Sequence, residues 1–301
     1  MIILFALLIF STLSVSTLSA QAQTPALKAF DSPEAAAEAA IGAAEKNDIA
    51  ELKAIFGANS KAILTSGDPK QDQEERAEFA KMAREKHAIE KDPMNLHRVI
   101  LDVGPEDWPF PVPIIESNGK WSFNPEQGEL EVHARRIGAN ELDTIETLAG
   151  VVQAQMQYAE ADRDSDGILE YAQYLMSSPG KMDGLYSEKS TLFGVQPALA
   201  AAEVRPGKVK PVPYHGYYYR VLEAQGPNAE GGAHKYVVDG KHMMAGFAVV
   251  AWPAEYGVTG IHTFIVSKDG VVFEKDLGKP ASNLVTTVKV FDPDKSWQRV
   301  D

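Results

Sequence analysis

Three aspartates stand at alternate positions in one short stretch, Asp162, Asp164 and Asp166, and Gly167 follows them. Carboxylates about 5 Å apart repel by roughly 1 kcal/mol per pair in water, and by more at a lower effective dielectric. A folded loop tolerates such crowding when its side chains stay solvated or when a cation sits among them. The spacing is that of positions one, three, five and six of a calcium loop, where the aspartates supply hard oxygen ligands and the glycine makes a sharp turn. Ile168 would offer its backbone carbonyl at position seven, and Glu170 a carboxylate at position nine. Position twelve, where a bidentate Glu closes an EF-hand loop, holds Gln173. Glu170 is therefore expected as the last carboxylate, with Asp183 as a further ligand from the next turn. Oxygen donors without His or Cys favour Ca²⁺ over Zn²⁺ or Cu²⁺, and the expected role of the ion is structural. The competing explanation is a solvated cap, with Asp166 closing the start of a helix at Ile168.

A second set of chemistry-bearing residues lies near the carboxy terminus. Tyr214, His215, Tyr217 and Tyr219 in "PYHGYYYR", with Trp252, Glu255 and Tyr256 in "WPAEYG", combine apolar bodies with polar tips. Together they could line a groove for a small molecule, a saccharide or a peptide. Strand alternation puts Tyr217 and Tyr219 on one face and Tyr218 on the other, and ordinary sheet packing is the competing explanation. No catalytic residue is assigned. There is no Cys for a thiol nucleophile, and no nucleophile elbow, zinc helix or phosphate loop is present. His234 and His242 flank a turn as a conceivable zinc pair, but isolated histidines explain them better.

The elements that must position these residues can be read from capping and periodicity. "FDSPEAAAEAA" opens a helix at Asp31 or Ser32, running to about Lys46, and Asp48 caps a second helix ended by Gly57. Residues 65–69 form a turn, and residues 71–90 a charged, solvated helix. "NLHRVILDV" and "WPFPVPIIE" are strand-like, the prolines confining the second to an edge, and "IIESNGKWSF" is a hairpin signal. A long helix capped at Asn140, with Ile145, Leu148, Val152 and Met156 on its inner stripe, leads into the acidic loop. "ILEYAQYLM" is expected to resume as a helix. Beyond a connection at 190–212 the chain is β-rich, with turns at Asp239-Gly240 and Asp269-Gly270.

The expected fold class is α+β: a cone-like domain over 28–135, a helix–acidic loop–helix connector over 136–189, a linker over 190–212, and an antiparallel β-rich domain over 213–301. The net charge of −13 disfavours nucleic acid and anionic lipid as partners. Residues 1–22 have the apolar core and small-residue exit of a signal peptide, too short for a membrane span, so a periplasmic or secreted protein with no stable span after cleavage is expected.

The amino-terminal elements ending in "NGKWSF" resemble the nuclear-transport-factor-2-like cone. "FDSPEAAAEAA", "DWPFPVPI", "ARRIGANELDTI", "AEADRDSDGILEYAQ", "PYHGYYYRVLEAQGPNAEGGAHKYVVDG" and "GVTGIHTFIVSKDGVVFEKDLG" resemble the bacterial domain-of-unknown-function family 2950. That resemblance implies an exported bacterial protein and brings no activity. The last stretch is also similar, more locally, to pseudopilin-like globular domains. The leading expectation is an exported, non-enzymatic binding or envelope-associated protein with structural calcium. The alternatives are a hydrolase acting on an envelope polymer or saccharide, using carboxylates and His215, and a subunit of a pilus- or secretion-like assembly.

Overall fold

Ser32, rather than Asp31, starts the first helix in the computed structural model, which describes residues 27–58, 60–65, 69–187, 194–205, 210–279 and 288–300. Its hydroxyl accepts from the Ala35 N–H at 3.1 Å, and Pro33 opens α1 (Pro33–Glu45). Asp48 likewise caps α2 (Ile49–Phe56), which Gly57 ends at φ 94°. The expected signal peptide at 1–22, the centre of the turn at 66–68 and parts of the 190–212 connection lie outside the described residues.

After α3 (Lys61–Leu64), the charged α4 (Pro69–Glu85) stops short of the expected end at 90. Residues His87–Asp92 instead form β1, paired with β2 (Asn95–Val103) from His87↔Val103 onward. That pairing gives backbone groups partners that a charged helix end would leave to water. The prolines split the next stretch into β3 (Trp108–Pro109) and β4 (Ile114–Ser117), both hydrogen-bonded to β2. Asn118 and Gly119, at φ 53° and 72°, turn β4 into β5 (Lys120–Phe123) as a type I′ hairpin requires. The sheet order is β1-β2-β4-β5, with β3 also on β2. Val99, Leu101 and Val103 share a core with Ala36, Ala37 and Ala40 of α1 and with Phe56 and Phe123, whose ring centroids are 4.7 Å apart. Alternation sends Arg98, Ile100 and Asp102 to the opposite face of β2.

The chain divides into two compact units between Glu129 and Leu130, inside the helix α5 (Pro125–Tyr158). At 34 residues α5 is about 50 Å long. Its expected start at Asn140 is corrected: Asn124 accepts from Gln127 N at 3.1 Å, Pro125 follows, and Asn140 lies mid-helix with its amide donating to Thr259 O at 2.9 Å. The buried stripe is Leu148, Val151, Ala154 and Tyr158, whereas Met156 is 42 % exposed.

The second unit continues with the parallel pair β6 (Tyr174–Met176) and β7 (Gly184–Tyr186), then α6 (Pro197–Ala201) and β8 (Tyr217–Leu222). Two small antiparallel pairs follow, β9 (Ala224–Gln225) with β10 (His234–Lys235) and β11 (Val237–Val238) with β12 (His242–Met243). β13 (Ala248–Pro253), β14 (His262–Ser267), β15 (Val272–Asp276) and β16 (Gln298–Arg299) complete an antiparallel sheet in the order β16-β15-β14-β13-β8. The fold is α+β.

No helix resumes after the acidic loop. Each backbone N–H from Tyr171 to Met176 goes to a tertiary acceptor instead: Met243 O, the Gln155 amide, Asp183 O twice, and the two oxygens of Glu203. Gln155 and Glu203 are buried, so these bonds form away from competing water and hold the segment extended.

Candidate functional site

The acidic loop folds around Asp162. One carboxylate oxygen of Asp162 accepts from Ser165 N at 2.7 Å and from Asp166 N at 3.3 Å, and the other from Gly167 N at 2.8 Å. Gly167 stands at φ 88°, in the left-handed region that the sharp turn requires. Asp166 Oδ1 accepts from Ile168 N at 3.0 Å. Asp162, Asp164 and Asp166 are exposed, and each offers an oxygen within 4.8 Å of the other two.

The remaining expected ligands do not join them. Glu170 accepts from Met243 N at 3.0 Å, and burial pushes its pKa up. Gln173 donates its amide to Lys241 O. Asp183 accepts from Ser178 N at 2.7 Å, closing a turn of its own. Positive charge comes from the β11–β12 turn, a source that sequence reasoning missed. His242 Nε2 is 2.8 Å from Asp166 Oδ2, its Nδ1 is 2.8 Å from Asp239 Oδ2, and Lys241 Nζ is 3.4 Å from Asp166. Hydrogen bonding to Asp239 above all holds the imidazole pKa above its ordinary value. His242 therefore serves two carboxylates and is not half of a zinc pair with His234.

The aromatic set separates. Tyr217 and Tyr219 are fully buried on the core face of β8. Tyr219 sits 3.4 Å from Thr144 Oγ1, and burial pushes its pKa up to about 12. Trp252 pairs in register with Tyr218, on the opposite face from Tyr217 and Tyr219. Tyr256 donates to Asp276 at 3.1 Å, and Glu255 is exposed in the turn before Gly260. His215, with Gly216, forms the tight turn before β8, and its Nδ1 lies 3.0 Å from Asp143 Oδ2. Tyr214 lines a cavity of about 270 Å³, with Thr147, Gln153 and Gln157 of α5 and with Gln196 and Leu199. None of its described lining residues is charged.

A hub absent from the sequence reading is Glu141. One oxygen accepts from Ile261 N at 2.8 Å and His262 N at 2.9 Å, and the other lies 3.1 Å from His262 Nδ1. Burial raises its pKa, but those donors outweigh burial and leave it lowered. A spacing of 121 residues between Glu141 and His262 leaves no local pattern to find.

A family model described as "Protein of unknown function (DUF2950)" matches residues 27–300. The chain belongs to this family. DUF2950 carries no assigned activity in that description, and no curated protein and no solved structure matches the chain. Three of the stretches that carry the DUF2950 resemblance, "ARRIGANELDTI", "PYHGYYYR" and "GVTGIHTF", meet around Glu141. Among the described residues no helix is long and apolar enough to cross a membrane.

Proposed function

We propose that this DUF2950 chain is an exported, non-enzymatic binding protein with a structural calcium ion in the loop Asp162–Gly167. The observation that carries this reading is a shared element. The helix α5 lines the Tyr214 cavity and runs directly into the loop where three carboxylates converge. Asp162, Asp164 and Asp166 supply the ion's side-chain ligands. The Ile168 carbonyl and water supply the rest, while Glu170 stays on Met243. With so few protein carboxylates the affinity is weak, on the order of 10⁻⁴–10⁻³ M, as in extracellular modules. The ligand is a neutral, polar small molecule such as a saccharide or short peptide. Amide and hydroxyl groups and one aromatic ring are the partners such a molecule uses, and none of the described lining residues is charged.

Metal-stripped protein titrated with Ca²⁺ and with a panel of neutral oligosaccharides and peptides tests both halves. Calcium should raise the unfolding midpoint, and Tyr214→Ala should lose the ligand without losing the calcium response. An unchanged midpoint removes the ion, and a Tyr214→Ala variant that binds normally removes the cavity.

A second reading, a hydrolase, draws on the His215–Asp143 pair, in which a carboxylate orients an imidazole through Nδ1 and leaves Nε2 for a proton. Under it, His215→Ala abolishes turnover of an envelope polysaccharide. Under the binding reading no turnover exists to lose.

A further inference from the structure

The first unit holds a separate cavity of about 370 Å³ on the β-sheet face opposite its helix-packed core. Ile100, Pro93 and Pro109 give it apolar walls, and four carboxylates line it: Glu90, Asp92, Asp102 and Asp107. Two are neutralised by the protein. Arg98 Nε lies 2.9 Å from Asp92, without the alignment of a hydrogen bond, and Lys86 Nζ lies 2.7 Å from Asp107. Lys91 adds one more cation at the rim. The formal sum of these groups is one negative charge.

Asp102 is the anomaly. It is 7 % exposed, and no hydrogen bond or ion pair from the described residues reaches its carboxylate. Register explains the isolation: its cross-strand neighbours are Ala88 in β1 and Pro109 in β3, and neither brings a donor. Burial and the nearby charges of Glu90 and Asp107 push its pKa up. Its oxygens are not among the described buried polar atoms left without a partner, so the carboxylate opens onto the cavity, where water or a cation supplies its partner. Glu90 pairs with Ile100, so it lies diagonal to Asp102 on the same face, with Cβ atoms about 7 Å apart. A single ammonium group reaches both carboxylates across that gap.

We propose that this cavity binds a small organic amine, its ammonium group held between Asp102 and Glu90 and its aliphatic stem against Ile100, Pro93 and Pro109. The site lies in the first unit, and the calcium loop and the Tyr214 cavity lie in the second.

The test is thermal unfolding of the full chain in butylammonium chloride up to about 50 mM at matched ionic strength, where a ligand of the folded state raises the midpoint by mass action. The midpoint rises in the native chain and in Glu255→Gln, which removes the same charge from the other unit. Butanol gives no rise. In Asp102→Asn, a near-isosteric change that removes the charge, the apparent affinity falls about tenfold or more, and Glu90→Gln weakens it in the same direction. No rise in the native chain, an equal rise with butanol, or an undiminished response in Asp102→Asn overturns the proposal.

Discussion

The ring of Tyr217 fills the space in which Gly260 would carry a side chain: a Cβ there would lie 2.5 Å from Cζ and 2.6 Å from Cε2. The tyrosine hydroxyl then donates to His262 O at 3.0 Å, so the turn before β14 and the start of β8 are fitted to one another. Gly260→Ala overpacks this contact and should cost about 1–3 kcal/mol, read as a lower midpoint in denaturant. Tyr217→Phe keeps the ring and loses a hydrogen bond, for about 1 kcal/mol. A Tyr217→Phe variant with a changed ligand profile but unchanged stability would contradict its placement as core.

Glu141 gives the fold a dependence on acid. Its folded pKa lies below the ordinary glutamate value of 4.5. Its stabilisation is therefore fully present above the unfolded pKa and is lost as pH falls through the folded one. Glu141→Gln should flatten that part of the stability–pH curve below about pH 4.5 and leave the curve's shape near neutrality unchanged. Glu141→Ala should cost about 1–3 kcal/mol at neutral pH, because the part-buried N–H groups of Ile261 and His262 lose their acceptor. Urea titrations across pH check both.

Asp102 acts with the opposite sign. A raised carboxylate pKa means that stability declines as pH rises above the unfolded value of 3.8, until the folded group has ionised. Asp102→Asn should therefore have a higher unfolding midpoint than the native chain at neutral pH, the gain shrinking as pH approaches 3.8. A lower midpoint at neutral pH would show that the carboxylate has a stabilising partner.

Gln155 holds the far side of the acidic loop. Its amide donates to Ala172 O and accepts from Ala172 N, both at 2.8 Å, and the residue is fully buried. Gln155→Ala leaves both backbone groups unpaired and should cost about 2–4 kcal/mol. Hydrogen exchange should locate the loss at residues 171–176, whose extended form depends on such partners.

Local grammar made much of the fold legible. Ser32, Asp48, Gly57 and the Asn118-Gly119 turn act through neighbours a few residues away, so their elements can be read one at a time. The start of α5 was also written locally, in Asn124-Pro125, but the helix-like stripe after Asn140 is stronger and drew the boundary to it. The segment 168–176 misled for a different reason. Its composition suits a helix, and its conformation is decided by Gln155, Glu203 and Asp183, which no window around it contains. In the candidate sites the aspartate spacing was visible because a loop ligand set is local. The arrivals of His242 and Lys241 at Asp166, and of His262 at Glu141, depend on chain folding over many tens of residues. Strand alternation did place Tyr217 and Tyr219 on one face, but only burial decides whether that face meets a ligand or the core.

The structural role of the acidic loop depends on whether an ion joins Asp162, Asp164 and Asp166. The direct measurement is the thermal midpoint of EDTA-treated full-length protein against added Ca²⁺, run beside Asp164→Asn, since no hydrogen bond from the described residues occupies Asp164. The account predicts a midpoint that climbs through the millimolar range in the native chain and stays flat in the variant. A native chain indifferent to calcium, or a variant that responds as strongly as the native chain, would contradict it.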